Sequence, residues 1–482
     1  MASGSIWETL PELILSVGAM VLLLVAGWRG DGATRGISIV SVVLLALAAV
    51  SLTGPAGHGG VAFDGLYRAD AFASYAKLLI YGAAAVSIII APGWFARGGE
   101  LRAEYPVLIL LSCVGMGMMV SAGDLLTLYV GLELQSLAAY VLASFMRRDQ
   151  RSAEAGLKYF ILGALASGIL LYGIALLYGF SGTTLFDGLA DAFRQPASNE
   201  VQVGRLFGLV FALAGLFFKA SIVPFHMWTP DVYEGAPTPV TGFFASAPKV
   251  AAMALLVRVA VEALGPATEA WRQLMIFSSL ASIVLGAVAA IGQTNIKRLL
   301  AYSSINNVGF ALIGLAAGTP EGVSAVLVYM AVYIVMTLGS FLCVMRMRDL
   351  DGQPLEAISA LSGLSRTRPL LAAAMAMFMF SLAGIPPLFG FYPKFAVFAA
   401  ATDAGLFPLA VLGAIGSVIG AYYYLMIVKT MYFDEPAPAF APAEGRVESG
   451  LIAAAAVAIS PVGYLAIPFL GAWTLAAARV LF

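Results

Sequence analysis

The chain has 482 residues, of which 61% are hydrophobic and 11% charged, with a formal net charge of −1. Soluble domains carry roughly 25% charged residues, so this composition reads as an integral membrane protein, and the near-zero charge offers no surface for nucleic acid. Cys113 and Cys343 both fall inside apolar stretches far apart in sequence and read as packing residues, with no disulfide or metal framework.

Apolar runs of about 17 to 25 residues mark membrane-spanning helices. About fourteen occur, starting near Leu10, Gly36, Ala71, Tyr105, Asp124, Gly156, Arg205, Pro239, Trp271, Lys297, Glu321, Pro369, Leu406 and Gly450. The expected fold is all-α, with short loops that leave no room for a soluble catalytic domain. The opening residues, Met1 to Leu10, hold Glu8 and no base, so the first run is expected to be retained and not cleaved as a signal peptide. Alternate loops carry most of the Lys and Arg: Arg29 and Arg35, Arg97 and Arg102, Arg147 to Arg151, Lys297 and Arg298, Arg346 to Arg368, then Lys429 and Arg446. The opposite side has Arg68, Arg194, Arg205, Arg272 and Arg479, a bias of roughly three to one that puts both termini outside the cytoplasm.

In chain order, Gly54 to Asp70 reads as a Gly-rich outer loop whose His58 is solvated. Lys77, one turn inside the third span, is expected to snorkel to the interface. Glu133 lies about 14 Å of helix from Asp124 and about 21 Å from Arg147, near mid-depth of the fifth span. It is either half of a structural ion pair or the movable partner of a lysine at similar depth. Lys158 follows Glu154 by four residues, the spacing of a helix-surface pair, at a position that could also line a proton inlet.

The stretch from Phe217 to Lys249 reads FFKASIVPFHMWTPDVYEGAPTPVTGFFASAPK. Lys219 lies about 21 Å of helix past Arg205, so it sits deep in a span, where a lysine costs about 2.5 to 3.5 kcal/mol and is a functional-site candidate by default. Pro224, Pro230, Pro237 and Pro239 forbid one unbroken helix through this region, and irregular backbone at membrane depth is tolerated only where protein buries it or it lines a cavity. His226 follows the break and either carries a proton between Lys219 and Lys249 or satisfies freed backbone groups. Lys249 is again mid-span, with no acid close in sequence, as expected of a proton-exchanging group. Arg258 and Glu262 share the four-residue spacing and read as an interface anchor. Lys297 opens a span whose next turns hold Tyr302, Ser303, Ser304, Asn306 and Asn307, a polar face that either admits water or bonds neighbouring helices.

Near the end, LAGIPPLFGFYPK, Leu382 to Lys394, again breaks an apolar span, at Pro386 and Pro387. Ala220 to Pro224 aligns with Ala383 to Pro387, which makes the seventh and twelfth spans the discontinuous ones. The odd offset of five spans inverts one unit relative to the other, the inverted-repeat arrangement of many transporters. This divides the chain into a three-helix segment, 1–104, a first unit, 105–265, a second unit, 266–430, and a linker with the last helix, 431–482. Lys394 is the second unit's counterpart of the buried lysines. The buried charges lie at one depth on several helices, an arrangement that lets protons pass laterally as well as across.

The string VPFHMWTPDVYEGAPTPVTGFFASAPK with its preceding Lys219 resembles the antiporter-like membrane subunits of proton-pumping NADH:quinone oxidoreductase, respiratory complex I, over essentially the whole chain. The form PDVYEGAPTPVT closing on Pro248 and Lys249 looks like the family's N branch. The lateral helix of the L branch is missing after the last span, and Lys394 stands where the M branch has a glutamate. The resemblance implies fourteen spans, two inverted five-helix units and a multi-pass protein of the bacterial inner membrane. It implies Glu133 and Lys219 as a coupling pair, Lys249 as the central lysine, His226 as a relay, Lys394 facing the outer exit, and Lys158 with Lys297 along the input. It implies no cofactor in this chain, with the flavin FMN, the iron–sulfur clusters, NADH oxidation and quinone reduction in partner subunits. Expected neighbours are subunits K and M, with lipids at the joints. The competing readings are an Mrp-like cation/proton antiporter and a passive scaffold.

Overall fold

Hydrocarbon supplies no hydrogen bonds, so an apolar chain must satisfy its backbone internally and folds as helices. The computed structural model of this chain describes residues 6–57, 60–98, 100–442 and 445–482; His58 lies outside them. The helices in order are α1 Leu10–Arg29, α2 Thr34–Ser51, α3 Ala71–Arg97, α4 Glu104–Ser121, α5 Leu125–Ala143, α6 Gln150–Ser181, the short α7 Phe186–Arg194, α8 Asn199–Ala220, α9 Trp228–Gly235 and α10 Thr238–Phe244. They continue as α11 Ala247–Arg258, α12 Thr268–Ile291, α13 Ile296–Ala317, α14 Pro320–Val344, α15 Pro369–Ala383, α16 Phe391–Asp403, α17 Phe407–Phe433, α18 Arg446–Ile459 and α19 Ile467–Arg479. A small antiparallel hairpin, β1 Gly60–Ala62 and β2 Tyr67–Ala69, stands inside what the sequence reads as an open loop.

Twelve stretches among the described residues are long and apolar enough to cross a membrane. The sequence reading of about fourteen differs for physical reasons. The first stretch, Leu10–Ser51, contains two helices packed on each other, α1 and α2. The twelfth expected span is interrupted, so α15 and α16 are each too short to count alone. At the centre lie α10 with α11, α13 and α14, buried almost throughout, while α1, α2, α6 and α17 present Leu, Val and Phe outward, as lipid-facing helices do. The last span is also interrupted, at Ser460, and its freed Ile459 carbonyl accepts the backbone N–H of Phe389 from the twelfth-span break, 2.8 Å away. One irregular segment therefore satisfies the other.

Two charges sit deeper than the sequence suggests. Lys77 does not snorkel: it is fully buried, 2.7 Å from Glu12 of α1 and 2.6 Å from the Tyr67 hydroxyl, which itself donates to Glu12 at 2.6 Å. Arg258 is fully buried too, with its guanidinium on Asp70 at 2.7 and 2.8 Å, on Glu262 at 2.9 Å and on the Val120 carbonyl at 2.9 Å. Asp70 is also the N-cap of α3, accepting from Ala73 N–H. The first network ties α1 to α3 and β2, and the second ties the start of α3 to the ends of α4 and α11.

Breaking a buried pair by removing one partner costs about 3 to 5 kcal/mol, whereas replacing both by apolar groups is often near neutral. Lys77→Met is therefore expected to lower the thermal stability of the detergent-solubilised protein, and Glu12→Met with Lys77→Met to recover most of it. Equal losses in the single and double variants would show that the pair does not hold α1 against α3.

Candidate functional site

Helix α8 ends at Ala220 because Ser221 turns into the left-handed region, φ 63°. Its last carbonyls then need partners inside the protein. Phe217 accepts from Ile222 N–H at 2.9 Å, and Phe218 accepts from Ser221 N–H at 3.1 Å and from the Trp228 indole at 2.8 Å. The Ala220 carbonyl accepts from the Lys249 ammonium at 3.1 Å. The second break repeats these bonds in the aligned register. Gly384, φ 79°, ends α15; Phe380 accepts from Ile385 N–H at 3.0 Å, Ser381 from Gly384 N–H at 2.9 Å, and Ala383 from the Lys394 ammonium at 3.0 Å.

Three of the buried lysines, Lys219, Lys249 and Lys394, lie within one turn of a helix interruption. Lys219 precedes the end of α8. Lys394 lies in the first turn of α16 and is also bonded to the Ser417 hydroxyl at 3.0 Å, 4.4 Å from the centre of the Phe310 ring. Lys249 lies in the first turn of α11, because the eighth span is itself interrupted at Ala245 and Ser246. The sequence reading places breaks only in the seventh and twelfth spans. The signal it passes over is Pro248, which cannot donate a helix hydrogen bond and so fits the start of a new segment.

Lys219 donates to the Ser136 hydroxyl at 2.7 Å, which in turn donates to the Leu132 carbonyl at 2.6 Å. Glu133, one turn earlier on α5, accepts a short hydrogen bond from Ser167, whose oxygen also lies 3.1 Å from the Tyr129 hydroxyl. Glu133 and Lys219 are thus not the direct ion pair the sequence suggests. Two serines hold them separately beside a cavity of about 10 Å³ lined by Ser136, Tyr140, Ser167 and Lys219, room for roughly one water.

Between Lys219 and Lys249 lies an aromatic stack, not the histidine. Tyr159 and Trp228 are parallel at 4.4 Å; Lys219 is 5.9 Å from the Tyr159 ring, and Lys249 is 5.7 Å from Trp228 and 5.9 Å from Tyr233. These distances are within cation–π range. His226 is half-buried, and its Nδ1 has no hydrogen-bond partner among the described residues. The structure does not bring it to either lysine. Pro224, Pro386 and Pro387 face outward at the breaks.

Lys158 and Lys297 belong to a charge cluster at one end of the bundle. Lys158, half-exposed, bonds Glu154 at 2.7 Å and Asp231 at 2.8 Å. Arg298 bonds Asp231 at 2.6 Å and Glu234 at 3.0 Å. Lys297, buried, spends its three protons on Glu356 at 2.9 Å and on the Glu234 and Ala236 carbonyls at 2.8 and 2.7 Å. Arg151 completes the cluster on Glu356 at 2.7 Å. Cavities of about 240 and 180 Å³ open into it. Sequence reasoning misses Asp231, Glu234, Arg298 and Glu356. The first two are three apart, on one face of α9, which is the available signal; Glu356 comes from a loop and carries none. Burial pushes the Asp231 carboxyl up, but the bonded Lys158 and Arg298 outweigh it and hold the group below the usual carboxylate range. Burial raises Glu356 in the same way, and Lys297 with Arg151 brings it below.

The polar face of α13 bonds neighbouring helices, one of the two roles its sequence allows. Ser303 and Asn307 meet the Tyr424 hydroxyl of α17; Tyr329 and Tyr333 of α14 donate to Asn307 at 2.8 Å and Ser304 at 2.9 Å; Asn306 donates to the Ile283 carbonyl at 2.8 Å.

Residues 122–420 match the family described as NADH:quinone oxidoreductase/Mrp antiporter, TM. The chain is 70% identical over 482 residues to NADH-quinone oxidoreductase subunit N of Rhizorhabdus wittichii, covering 100% of this chain and 99% of that one. It is 59% identical to the protein of the same name from Sphingopyxis alaskensis, covering 98% of each. Among solved structures it resembles a chain of respiratory complex I from Thermus thermophilus with bound aureothin, at TM-score 0.81 and 33% identity, covering 95% of this chain and 98% of that one. A chain of the Mrp complex from Dietzia shares the fold at TM-score 0.84 and 22% identity, covering 100% of this chain and 98% of that one.

The charge cluster gives a pH dependence. Asp231 is held below its ordinary value, so its contribution to stability is present above the unfolded carboxylate range and is lost as pH falls through the folded value. Arg298→Gln removes one of the two cations responsible, so protonation of Asp231 is expected to begin at higher pH than in the parent. Infrared difference spectra referenced to Asp231→Asn would show this, and an unchanged midpoint would mean that Arg298 does not set it.

Proposed function

The chain belongs to the NADH:quinone oxidoreductase/Mrp antiporter family, and on that premise we propose that its buried lysines are the proton path of an antiporter-like membrane subunit. Its function is that of the N branch of complex I: a membrane subunit of an oxidoreductase complex that translocates protons, with the other membrane subunits as partners. In this reading subunits K and M are the neighbours, the membrane is the bacterial inner membrane, and both termini lie on its outer side. The flavin, the iron–sulfur clusters and the quinone site belong to other subunits. Residues 105–265 and 266–430 are two inverted units, and the breaks after Ala220 and Ala383 occupy matching register in them.

The observation that carries the proposal is the environment of Lys219, Lys249 and Lys394. Each is buried, lies beside a helix interruption and is held by hydroxyls, carbonyls and ring faces, with no carboxylate within 4 Å among the described residues. A buried ammonium without a counter-charge is costly, so its protonation answers to any charge that approaches. Glu133 is the nearby movable charge. At an effective dielectric of about 20, a carboxylate at 4 Å stabilises an ammonium by about 4 kcal/mol, and at twice that distance by about half. A shift of a few Å by Glu133 therefore suffices to take up or release a proton at Lys219.

Protons enter this path at the cluster of Lys158, Asp231, Lys297 and Glu356. They pass by Lys219 and Lys249 to the hydroxyl and amide column on α13, and so to Lys394. His226 acts from outside the aromatic stack, as a side chain that reaches the path when the break moves. Lys249 is the position through which both halves must communicate.

Lys249→Ala, in membranes that retain the assembled complex, is expected to lower coupled NADH:quinone turnover and proton uptake together by roughly 10²-fold, the low end of what a positioned acid–base group contributes. Normal assembly with both rates intact would refute the path at this lysine while leaving the family membership standing.

A further inference from the structure

We infer that the groove between α15 and α18 is a binding site for one anionic phospholipid, headgroup against Arg346 and Arg368 and acyl chain along the two helices. The groove encloses about 650 Å³; below its two arginines the walls are apolar, including Leu371, Met377, Ile452 and Ala453. The uncapped N-termini of both helices open at the same mouth: α15 starts at Pro369 and α18 at Arg446, each without a side-chain cap. Their first N–H groups add to the positive end of each helix, which favours an anion.

The arginines are not spent on the protein to the same degree. Arg346 meets Glu448 at 2.9 Å and also bonds the Gly445 carbonyl at 2.7 Å and the Ser449 hydroxyl at 2.9 Å. Arg368 bonds only the carbonyls of Phe440 and Ala441, with no carboxylate within 4 Å among the described residues. The mouth therefore keeps net positive charge at the head of an apolar trench. A free phosphate would leave the trench empty and a neutral hydrophobe would leave the charge of Arg368 unanswered; a phospholipid with an anionic headgroup meets both. Basic pockets between transmembrane helices on the cytoplasmic side are of this kind, and Arg346 and Arg368 fall on the side that the distribution of basic residues assigns to the cytoplasm.

The test is photolabelling of the assembled complex in its own membranes with diazirine-bearing phosphatidylglycerol or phosphatidylcholine, the labelled peptides then being mapped by mass spectrometry. The phosphatidylglycerol probe is expected on residues 369–377 and 446–457, displaced by unlabelled phosphatidylglycerol and several-fold less by phosphatidylcholine. Arg368→Gln is expected to reduce the preference for the anionic probe about fivefold, the effect of one basic residue near a lipid headgroup. Ala453→Phe, which fills the trench, is expected to reduce labelling by both probes, and Arg194→Gln, a basic position on the short α7 that does not line the groove, to change neither. Native gels report assembly for each variant. Equal labelling by the two lipids, labelling indifferent to both groove variants, or no labelling in the intact complex would each overturn the assignment, the last by making the groove a seat for a partner subunit.

Discussion

An interrupted helix in hydrocarbon exposes carbonyls that water cannot reach, and how those carbonyls are satisfied shapes the centre of this protein. At the end of α8 the acceptors go to two backbone N–H groups, an indole and an ammonium. At the end of α15 the two backbone N–H groups and the ammonium recur, with Lys394 in the position of Lys249, while the indole bond belongs to the first break alone among the described residues. In each case the lysine sits at the start of its own helical segment, where the dipole disfavours a cation, and reaches for the C-terminal end of another, where the dipole favours it. The breaks thus create sites at which a lysine can be buried without a carboxylate. Were α8 continuous, Ala220 would bond within its helix and Lys249 would have only ring faces.

The buried charges fall into two kinds that differ in their partners. Glu12 with Lys77 and Tyr67, and Arg258 with Asp70 and Glu262, are closed networks in which opposite charges meet at 2.6 to 2.9 Å. Adding a proton to such a network or taking one out of it leaves an unpaired charge in a low dielectric, so these groups are suited to holding helices. Lys219, Lys249 and Lys394 have neutral acceptors instead. A neutral acceptor binds an ammonium and tolerates an amine, which is what a group that gains and loses a proton in turn requires. Burial alone does not distinguish a structural charge from a working one; the charge of its partner does.

The sequence made Lys219, Lys249 and Lys394 legible because proline and deep placement are both local signals. Lys219 and Lys394 stand beside proline breaks, and Lys249 stands beside Pro248, although the reading of that proline as a break was missed. Non-local pairing was illegible. Lys77 reads as a snorkelling residue because Glu12 lies far away in sequence, and Arg258 reads as an interface anchor because Asp70 comes from the loop before α3. Proximity in the chain does not order the side chains around the break: His226 follows it and stays half-buried, while Trp228, two residues on, stands on Tyr159 and faces Lys249. Glu356 had no helix to announce it. The alignment of Ala220 with Ala383 holds down to the individual hydrogen bonds, because a left-handed residue at Ser221 and at Gly384 releases the same carbonyls in both.

Helix α9 links the charge cluster to the buried lysines. It is eight residues long, about 12 Å, and both ends are occupied. At its start Trp228 bonds the Phe218 carbonyl, stacks on Tyr159 and faces Lys249. Toward its other end Asp231 and Glu234 hold Lys158, Arg298 and Arg151, and its terminal carbonyls hold Lys297. These contacts come from two other helices, Lys158 and Arg151 from α6 and Lys297 and Arg298 from α13, so a change of charge in the cluster pulls on α9 from two sides. The stack at its far end has no ion pair to resist displacement, only ring contacts that weaken with distance. A rigid helix of two turns held by ion pairs at one end and by ring contacts at the other couples the two ends reciprocally, so a displacement at the cluster is felt at the aromatic stack and a displacement at the stack is felt at the cluster.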